Sequence, residues 1–332
     1  MRYALTVLLI SGLVSTFMAP LAASSGNPQH TGTAAAGRSV AIVERPKGEA
    51  ASTLIMSEPF QFYKNEVIVQ AKLDGEGPFR MLLSTGASTT VVDLSLARRL
   101  KLALGTLPPA PAGITAAPGL PTQYTATIQE VGLGSYTTRN IASTVFDLTA
   151  LNKRFGMNID GVLGYACLEG QVVQLDYPGR TLRIFASSPY GLNEPSGTAS
   201  TSVMTFGYYD GLIVNDAFVG ADQVVTCIDT GDPDSFSLTQ PAVTGLSLDG
   251  VVASATPTAA AGYNESGQAK TGTLSAIKVG SFTVSNPKVT FWPESNRHTG
   301  ADWSLAVGNG FLQDYVVTID DKDALVVLKR AG

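Results

Sequence analysis

Two segments of this chain share one residue pattern and differ at the position that could carry out acid–base chemistry. The segments are residues 79–88, FRMLLSTGAS, and residues 224–233, VVTCIDTGDP. Asp229 stands in the second segment where Ser84 stands in the first. A carboxylate can accept and donate a proton in a reaction, whereas a hydroxyl cannot act as a base near neutral pH without a partner. If the two segments meet in one active site, only one side supplies a carboxylate.

The similarity between the two halves of the chain extends well beyond these segments. Ser84 and Asp229 are 145 residues apart. Three further blocks recur in the same order and within one or two residues of that offset: Val-Ile-Val at 67–69 with Leu-Ile-Val at 212–214, LGSYT at 133–137 with VGSFT at 279–283, and Leu-Gly at 163–164 with Val-Gly at 307–308. This is a two-copy internal repeat of domain size, longer than a solenoid unit.

Length and composition agree with the repeat. A chain of 332 residues fits about two domains, and its 44% apolar residues are sufficient for a core. The net charge of −5 is mild, and no stripe of Lys and Arg is present. Because nucleic-acid binding requires clustered basic residues, we expect no nucleic-acid partner.

The N-terminus has the pattern of an export signal. One Arg is followed by an apolar run of roughly 15 residues and then by small residues at 22–24. This predicts a signal peptide over residues 1–24 and an exported protein, periplasmic or secreted. A membrane anchor is the alternative, but the run is shorter than the ~20 residues needed to span a bilayer. We therefore expect no membrane attachment after cleavage.

The rest of the chain divides into segments by composition. Short runs of Val, Ile, Leu, Thr and Phe, separated by Gly, Pro and Asp, are typical of an all-β protein. We predict a flexible leader at 25–58, a first lobe at 59–188, a linker at 189–203 and a second lobe at 204–332. Residues 40–58 are ambiguous, since they also fit a strand that joins a shared sheet.

A few local signals predict helices and the state of the cysteines. Asp93 is a candidate N-cap for a helix over 94–100, and Pro241 suits the first turn of another. Short helices are expected after Gly164 and Gly308. Cys167 and Cys227 occupy apolar positions of different repeats, so we expect two buried free thiols, with a disulfide as the alternative.

The order of a strand, a Thr-Gly turn and an apolar-apolar-Gly block (DGVLG at 160–164) occurs in duplicate. It resembles the aspartic peptidases of pepsin and retropepsin type, especially bacterial exported two-lobe members, over residues 60–330. The resemblance implies an all-β, two-lobed pepsin-like aspartic peptidase fold, with duplicated acid-protease β-barrel lobes and few short helices. It also implies an aspartic-type endopeptidase that is a monomer, uses no cofactor or metal, and acts on peptides or unfolded proteins.

In that family two carboxylates at the lobe junction share one proton and activate a water for attack on the peptide carbonyl. By resemblance Asp229 is the matched catalytic acid, and Ser84 occupies the other position of the dyad. The supporting residues implied are Thr85, Gly86, Thr230 and Gly231 as the loop scaffold, and Ser88 as a partner of the side chain at position 84. The side chains of Ser84 and Asp229 should then lie on the order of 3–6 Å apart, within the reach of proton transfer.

Other interpretations of these residues stay open. Asp229 could be a turn residue that caps its own backbone, and the acidic residues Asp232 and Asp234 could belong to a calcium loop. A Ser84–His298 catalytic pair is a third alternative. Three functions follow: an exported peptidase homologue with reduced activity, a pseudoenzyme that binds peptides without cleaving them, and a purely structural periplasmic protein.

Overall fold

The computed structural model describes residues 53–106, 122–189, 200–208, 211–261, 266–292 and 303–330. Residues 53–189 are called the first lobe and residues 200–330 the second lobe. The predicted signal peptide and His298 lie outside the described residues, so the structure bears on neither.

The described part of the first lobe contains strands, two α-helices and one 3₁₀ turn. Their bounds are β1 (Leu54–Pro59), β2 (Gln61–Tyr63), β3 (Glu66–Leu73), β4 (Glu76–Leu83), β5 (Thr90–Asp93), α1 (Leu94–Arg99), β6 (Gly105–Thr106), β7 (Tyr124–Leu133), β8 (Tyr136–Phe146), α2 (Thr149–Phe155), β9 (Gly161–Leu163), the 3₁₀ turn (Tyr165–Cys167), β10 (Val172–Asp176) and β11 (Thr181–Phe185).

The second lobe repeats this arrangement with short helices at its edges. Its elements are β12 (Thr201–Tyr208), β13 (Leu212–Val214), β14 (Ala217–Val219), β15 (Asp222–Gln223), β16 (Thr226–Ile228), β17 (Phe236–Leu238), α3 (Gln240–Gly245), α4 (Asp249–Ser254), β18 (Thr256–Ala261), β19 (Ser266–Thr273), β20 (Ala276–Val279), β21 (Phe282–Ser285), β22 (Lys288–Phe291), β23 (Leu305–Val307), α5 (Asn309–Leu312), β24 (Tyr315–Asp320) and β25 (Leu325–Arg330).

Strand alternation determines which side chains reach the core. In β4, Met81 and Leu83 enter the main hydrophobic core, while Leu82 between them faces the opposite side of the sheet. There Leu82 packs in a second apolar cluster with Phe146 and Phe155. Because successive side chains of a strand point to opposite faces, Ser84 continues on the face of Leu82.

In each lobe one short strand lies between a parallel neighbour and an antiparallel neighbour. In the first lobe β9 lies between β4, to which it is parallel, and β5, to which it is antiparallel. In the second lobe β23 lies in the same way between β16 and β17. The strands that lead into the two Thr-Gly turns, β4 and β16, are therefore held by neighbours on both sides. Both turns emerge from well-supported strand ends.

One run of strands joins the lobes in the order β1-β11-β10-β24-β25-β12. At its centre Gln174 lies directly opposite Thr318, 144 residues later in the chain, and their side chains hydrogen-bond at 3.1 Å. These two residues are equivalent in the repeat, so a local pseudo-twofold axis passes between β10 and β24. The predicted all-β fold with few short helices is confirmed.

Several local predictions can be compared with the structure. The Asp93 carboxylate caps α1 by accepting from the backbone N–H of Ser95 at 2.8 Å, and the helices expected near Pro241 and after both glycines are present. Strand β1 begins inside the predicted leader, and β12 begins inside the predicted linker, because both are hydrogen-bonded into the joining sheet. No described helix is long and apolar enough to cross a membrane.

Candidate active site

Ser84 and Asp229 meet at the junction of the lobes. The Ser84 hydroxyl donates a hydrogen bond to Asp229 Oδ1 at 3.0 Å, and both residues are buried, with exposures of 1% and 3%. Each follows directly on its strand, and each backbone N–H is bonded at 3.0 Å to the strand alongside, at Leu163 and Val307 respectively. The expected separation of these two side chains is confirmed.

Thr85 and Thr230 join the two loops through a symmetric set of hydrogen bonds, called the threonine lock. The backbone N–H of each threonine donates to the hydroxyl of the other, at 3.1 Å in both directions. The Thr85 hydroxyl then donates across the junction to the carbonyl of Ile228 at 2.8 Å, and the Thr230 hydroxyl donates to that of Leu83 at 2.9 Å. Because all four bonds are buried, they fix the relative position of the lobes at the site.

Both glycines are required by close approach of the opposing loops. A Cβ atom on Gly86 would lie 2.4 Å from Asp229 Oδ2, and one on Gly231 would lie 2.4 Å from the Ser84 hydroxyl. Real Cβ atoms do not approach other atoms so closely, and only glycine can occupy these positions. The scaffold roles implied for Gly86 and Gly231 agree with this geometry.

Asp229 Oδ1 is the acceptor of three hydrogen bonds. Besides Ser84, the backbone N–H groups of Gly86 and Gly231 donate to it at 3.0 and 2.7 Å. Burial raises the pKa of Asp229 above its usual value, and the bonds from Gly231, Ser84 and Gly86 act in the opposite direction without cancelling it. Asp229 therefore keeps its proton to a higher pH than an exposed aspartate.

Two more carboxyl groups are buried near Asp229. Burial raises the pKa of Asp232 to about 8, with further contributions from Asp234 and Asp229. Burial likewise raises the pKa of Glu66 well above its usual value. In the repeat Asp232 occupies the position of Ala87, so this group belongs to the second lobe alone. Asp232, which the sequence offered only as a possible calcium-loop residue, is buried in the structure.

Two of the sequence interpretations gain no support from the geometry. Within the described ranges no cluster of three or more metal-binding side chains is present, so the calcium-loop alternative has no ligand set there. Ser88 is half-buried, and the Ser84 hydroxyl that it was expected to bond donates to Asp229 instead. A serine hydroxyl can donate one hydrogen bond, and Ser84 donates it to the Asp229 carboxylate.

A cavity of about 290 Å³ lies beside the first loop. It is lined by small side chains of β6, β7 and β8 together with Thr89, five residues beyond Ser84. Thr89 is 7% exposed, and among the described residues its hydroxyl has no hydrogen-bond partner. That oxygen is itself buried, so the cavity wall consists mainly of small side chains.

Asn309 supports the second loop and was not among the residues predicted for the site. Its backbone N–H donates to the carbonyl of Asp232 at 2.7 Å, and its side-chain amide donates to the carbonyl of Thr230 at 2.6 Å. The signal in the sequence was the repeated block around Gly308. That block marks Asn309 as part of the duplicated core, but the equivalent residue of the first lobe is Tyr165.

Comparison with known proteins finds a family match within the first lobe. Residues 69–167 match the family model described as aspartyl protease. The matched segment includes Ser84 and has no aspartate at that position. A retropepsin-like aspartic protease from Rickettsia conorii is similar in structure at 20% sequence identity, with a TM-score of 0.31, over 39% of this chain and 90% of that one. No curated protein sequence matches the chain.

Proposed function

We propose that this protein is an exported aspartic-peptidase homologue that binds peptide chains between its lobes and has reduced hydrolytic activity. The observation that carries the proposal is the 3.0 Å hydrogen bond between Ser84 and Asp229 inside a complete threonine lock. The loops have the positions that acid–base chemistry at the junction requires, and only one of them supplies a carboxylate.

The remaining carboxylate can still promote hydrolysis. Ionised Asp229 takes a proton from a water whose oxygen attacks the peptide carbonyl carbon, and the same proton passes to the leaving nitrogen as the C–N bond breaks. Once Asp229 is protonated, it attracts the Ser84 hydroxyl less strongly, and that hydroxyl can donate to the oxyanion. A hydroxyl is a much weaker acid than a carboxyl group, and losing a general acid typically lowers the rate by a factor of about 10²–10⁴.

The proposed substrate is an extended peptide or an unfolded protein whose backbone would lie at the junction of the two loops. The charge of −5 agrees with a partner other than nucleic acid. The protein is proposed to act as a monomer, since one chain supplies both loops, and as a periplasmic or secreted protein because of the N-terminal pattern.

A peptide-binding pseudoenzyme is the second candidate function. It is favoured by the three hydrogen bonds that Asp229 Oδ1 already accepts. With that oxygen fully occupied, Asp229 has one oxygen left for chemistry, and the junction can serve as a rigid floor under a bound chain.

The experiment that separates the two candidates is a cleavage and binding assay on the purified mature protein. An unstructured protein is incubated with it between pH 3 and 7, in parallel with the variant Asp229→Ala, and binding of labelled peptides is measured by fluorescence anisotropy. Trace cleavage that disappears in Asp229→Ala supports the weak peptidase, whereas binding without cleavage supports the pseudoenzyme. Absence of both would contradict the proposed function.

A further inference from the structure

A chain of buried hydrogen bonds leads from the first lobe to Asp229. The Tyr177 hydroxyl donates to Asn309 Oδ1 at 2.5 Å, and Asn309 Nδ2 donates to the carbonyl oxygen of Thr230 at 2.6 Å. The next backbone N–H, that of Gly231, donates to Asp229 Oδ1 at 2.7 Å. Tyr177 follows β10 of the first lobe, so the chain crosses the lobe junction and ends on the carboxylate.

The direction of these bonds is determined by the groups involved. The carbonyl of Thr230 can only accept, so the NH₂ group of Asn309 must face it, and the amide oxygen must face Tyr177. Tyr177 and Asn309 are both fully buried. The Tyr177 ring is held edge-on between Phe60 and Phe62, at centroid distances of 5.8 and 5.7 Å. These ring contacts fix the position of the hydroxyl that donates to Asn309.

The hydrogen bonds are coupled because successive bonds share an amide group, first the Asn309 side chain and then the Thr230–Gly231 peptide. The carbonyl of Thr230 and the N–H of Gly231 belong to one peptide unit. A hydrogen bond accepted by the oxygen of such a unit polarises it and makes its N–H a stronger donor. In agreement, Gly231 donates to Asp229 at 2.7 Å, whereas Gly86 of the other loop donates at 3.0 Å.

The pseudo-twofold axis provides an internal reference for this chain. Tyr165 is the equivalent of Asn309, and Asp321 is the equivalent of Tyr177. The Tyr165 hydroxyl donates to Asp321 Oδ1 at 2.5 Å, which also joins the lobes. Asp321 in turn accepts from the backbone N–H of Gly170, so this second link leads away from Ser84.

We propose that Tyr177 and Asn309 are positioning residues that act on Asp229 through the Thr230–Gly231 peptide, by strengthening the hydrogen bond that Gly231 donates to the carboxylate. Both residues are fully buried, so they act on the reaction only through Asp229. Their effect is to favour the ionised form of Asp229, the form that takes a proton from water in the proposed function. The bond from Gly231 is also the largest of the hydrogen-bond contributions that lower the pKa of Asp229.

Other charged groups face this chain and act in parallel with it. Glu66 on β3 and Asp232 on the same loop lie close enough to Asp229 for their charges to interact with it. Arg180, in the turn before β11, and Glu66 face Tyr177. All of them remain in place when the Tyr177 hydroxyl alone is removed, so Tyr177→Phe isolates the contribution of the hydrogen-bond chain.

The test follows the titration of Asp229 by NMR in protein labelled with ¹³C at the aspartate carboxyl carbon, with the resonance assigned by its loss in Asp229→Asn. Tyr177→Phe keeps the ring and removes the hydroxyl, and the pKa of Asp229 should rise by about 0.3–1 unit, as expected for a weakened hydrogen bond to the charged form. Tyr165→Phe removes the hydroxyl of the other link between the lobes and should leave the pKa of Asp229 unchanged. No rise in Tyr177→Phe, or an equal rise in both variants, would overturn the proposal.

A second measurement needs no substitution. In the unmodified protein the amide proton of Gly231 should resonate downfield of that of Gly86, because a stronger hydrogen bond deshields the proton. The reverse order would contradict the inferred polarisation. Neither readout depends on cleavage, so the proposal can fail while the proposed function stands, and it can hold in a protein that cleaves nothing.

Discussion

The two loops at the lobe junction share a scaffold and differ in chemistry. Each loop leaves a strand whose neighbour holds the first loop residue, and each presents a threonine that bonds across to the other lobe at matching distances. Within this symmetric frame Ser84 faces Asp229. The Gly86 N–H group, which belongs to the serine loop, also donates to Asp229. Both loops therefore serve one carboxylate.

This difference shows that the residues that hold the two loops together are distinct from the residue that supplies the acid. The threonine lock and the two glycines depend on backbone groups and on close approach, and they tolerate serine at position 84. The second lobe has also gained a buried carboxyl group, Asp232, where the first lobe has Ala87. The two loops therefore differ at two acidic positions, Ser84 against Asp229 and Ala87 against Asp232. Substitutions that make the loops more alike measure what each carboxyl group contributes to activity or stability.

The largest expected effect comes from restoring the missing carboxyl group. Ser84→Asp places two carboxyl groups on one floor, where like charges this close share a proton and one of them becomes the general acid. We expect peptide cleavage to rise by a factor of about 10²–10⁴, measured as kcat/KM on an unstructured substrate.

The pH profile serves as the control for this gain. A lone Asp229 gives a rate that rises with pH through its own pKa, whereas a coupled pair gives a bell-shaped profile. A variant that binds peptide but gains no activity would show that the two loops differ in more than the acid, and would favour the pseudoenzyme.

The second prediction concerns Asp232. Its pKa, raised by burial to about 8, lies above the usual value of about 4 for an unfolded aspartate. The contribution of a group with a raised folded-state pKa is fully present below the unfolded pKa and is lost as pH rises towards 8. Asp232→Ala gives the second loop the residue type that the first loop has at Ala87. In this variant the free energy of unfolding should fall less between pH 4 and pH 8 than in the natural protein. The difference between the two falls should be at least about 1.4 kcal/mol, the equivalent of one pKa unit.

Urea unfolding at both pH values measures this change. Asp222→Ala is the matched control, since Asp222 is an exposed aspartate of the same lobe, and it should leave the decline unaltered. At pH 4 the variant should be slightly less stable than the natural protein, because Asp232 also accepts a bond from the backbone N–H of Asp234. An identical pH dependence in Asp232→Ala and the natural protein would contradict the burial of a titrating carboxyl group there.

The sequence was sufficient for the features that depend on short-range patterns or on the repeat. The meeting of Ser84 and Asp229 followed from the duplicated Thr-Gly turns, and the cap of α1 followed from Asp93. Helix α2 was not predicted, because residues 149–155 show no sequence similarity to the corresponding part of the second half.

Features that depend on contacts between distant and non-equivalent residues could not be predicted. The bond between Tyr177 and Asn309 joins residues 132 positions apart, and the repeat places different residue types at the equivalent positions. The burial of Asp232 depends on how the second loop packs in three dimensions. A run of three acidic residues in seven is, by itself, typical of an exposed loop.

The third prediction tests the symmetry of the threonine lock. Thr85→Val and Thr230→Val each remove one hydroxyl and leave a buried backbone N–H and carbonyl without a partner. Each variant should lower the free energy of unfolding by about 1–3 kcal/mol, and the two losses should agree within about 0.5 kcal/mol, the spread of independent measurements. Thr137→Val, at an exposed position of β8, is the control and should have little effect. Markedly unequal losses would show that one lobe depends on the lock more than the other.

The smallest effect is expected at the cysteines, which occupy non-equivalent apolar positions of the two lobes. Cys167 lies in the main core and Cys227 packs with Trp303 and Ala306, and both carry reduced, fully buried thiols. Burial raises the pKa of the Cys167 thiol to about 11, so the reactive thiolate is scarce at neutral pH.

The intact mass of the mature protein should therefore be the same with and without reduction. A thiol reagent should label both residues in denaturant and neither in the folded state. A disulfide between residues 167 and 227, seen as a cross-linked peptide without reduction, would contradict the separate packing of the two thiols.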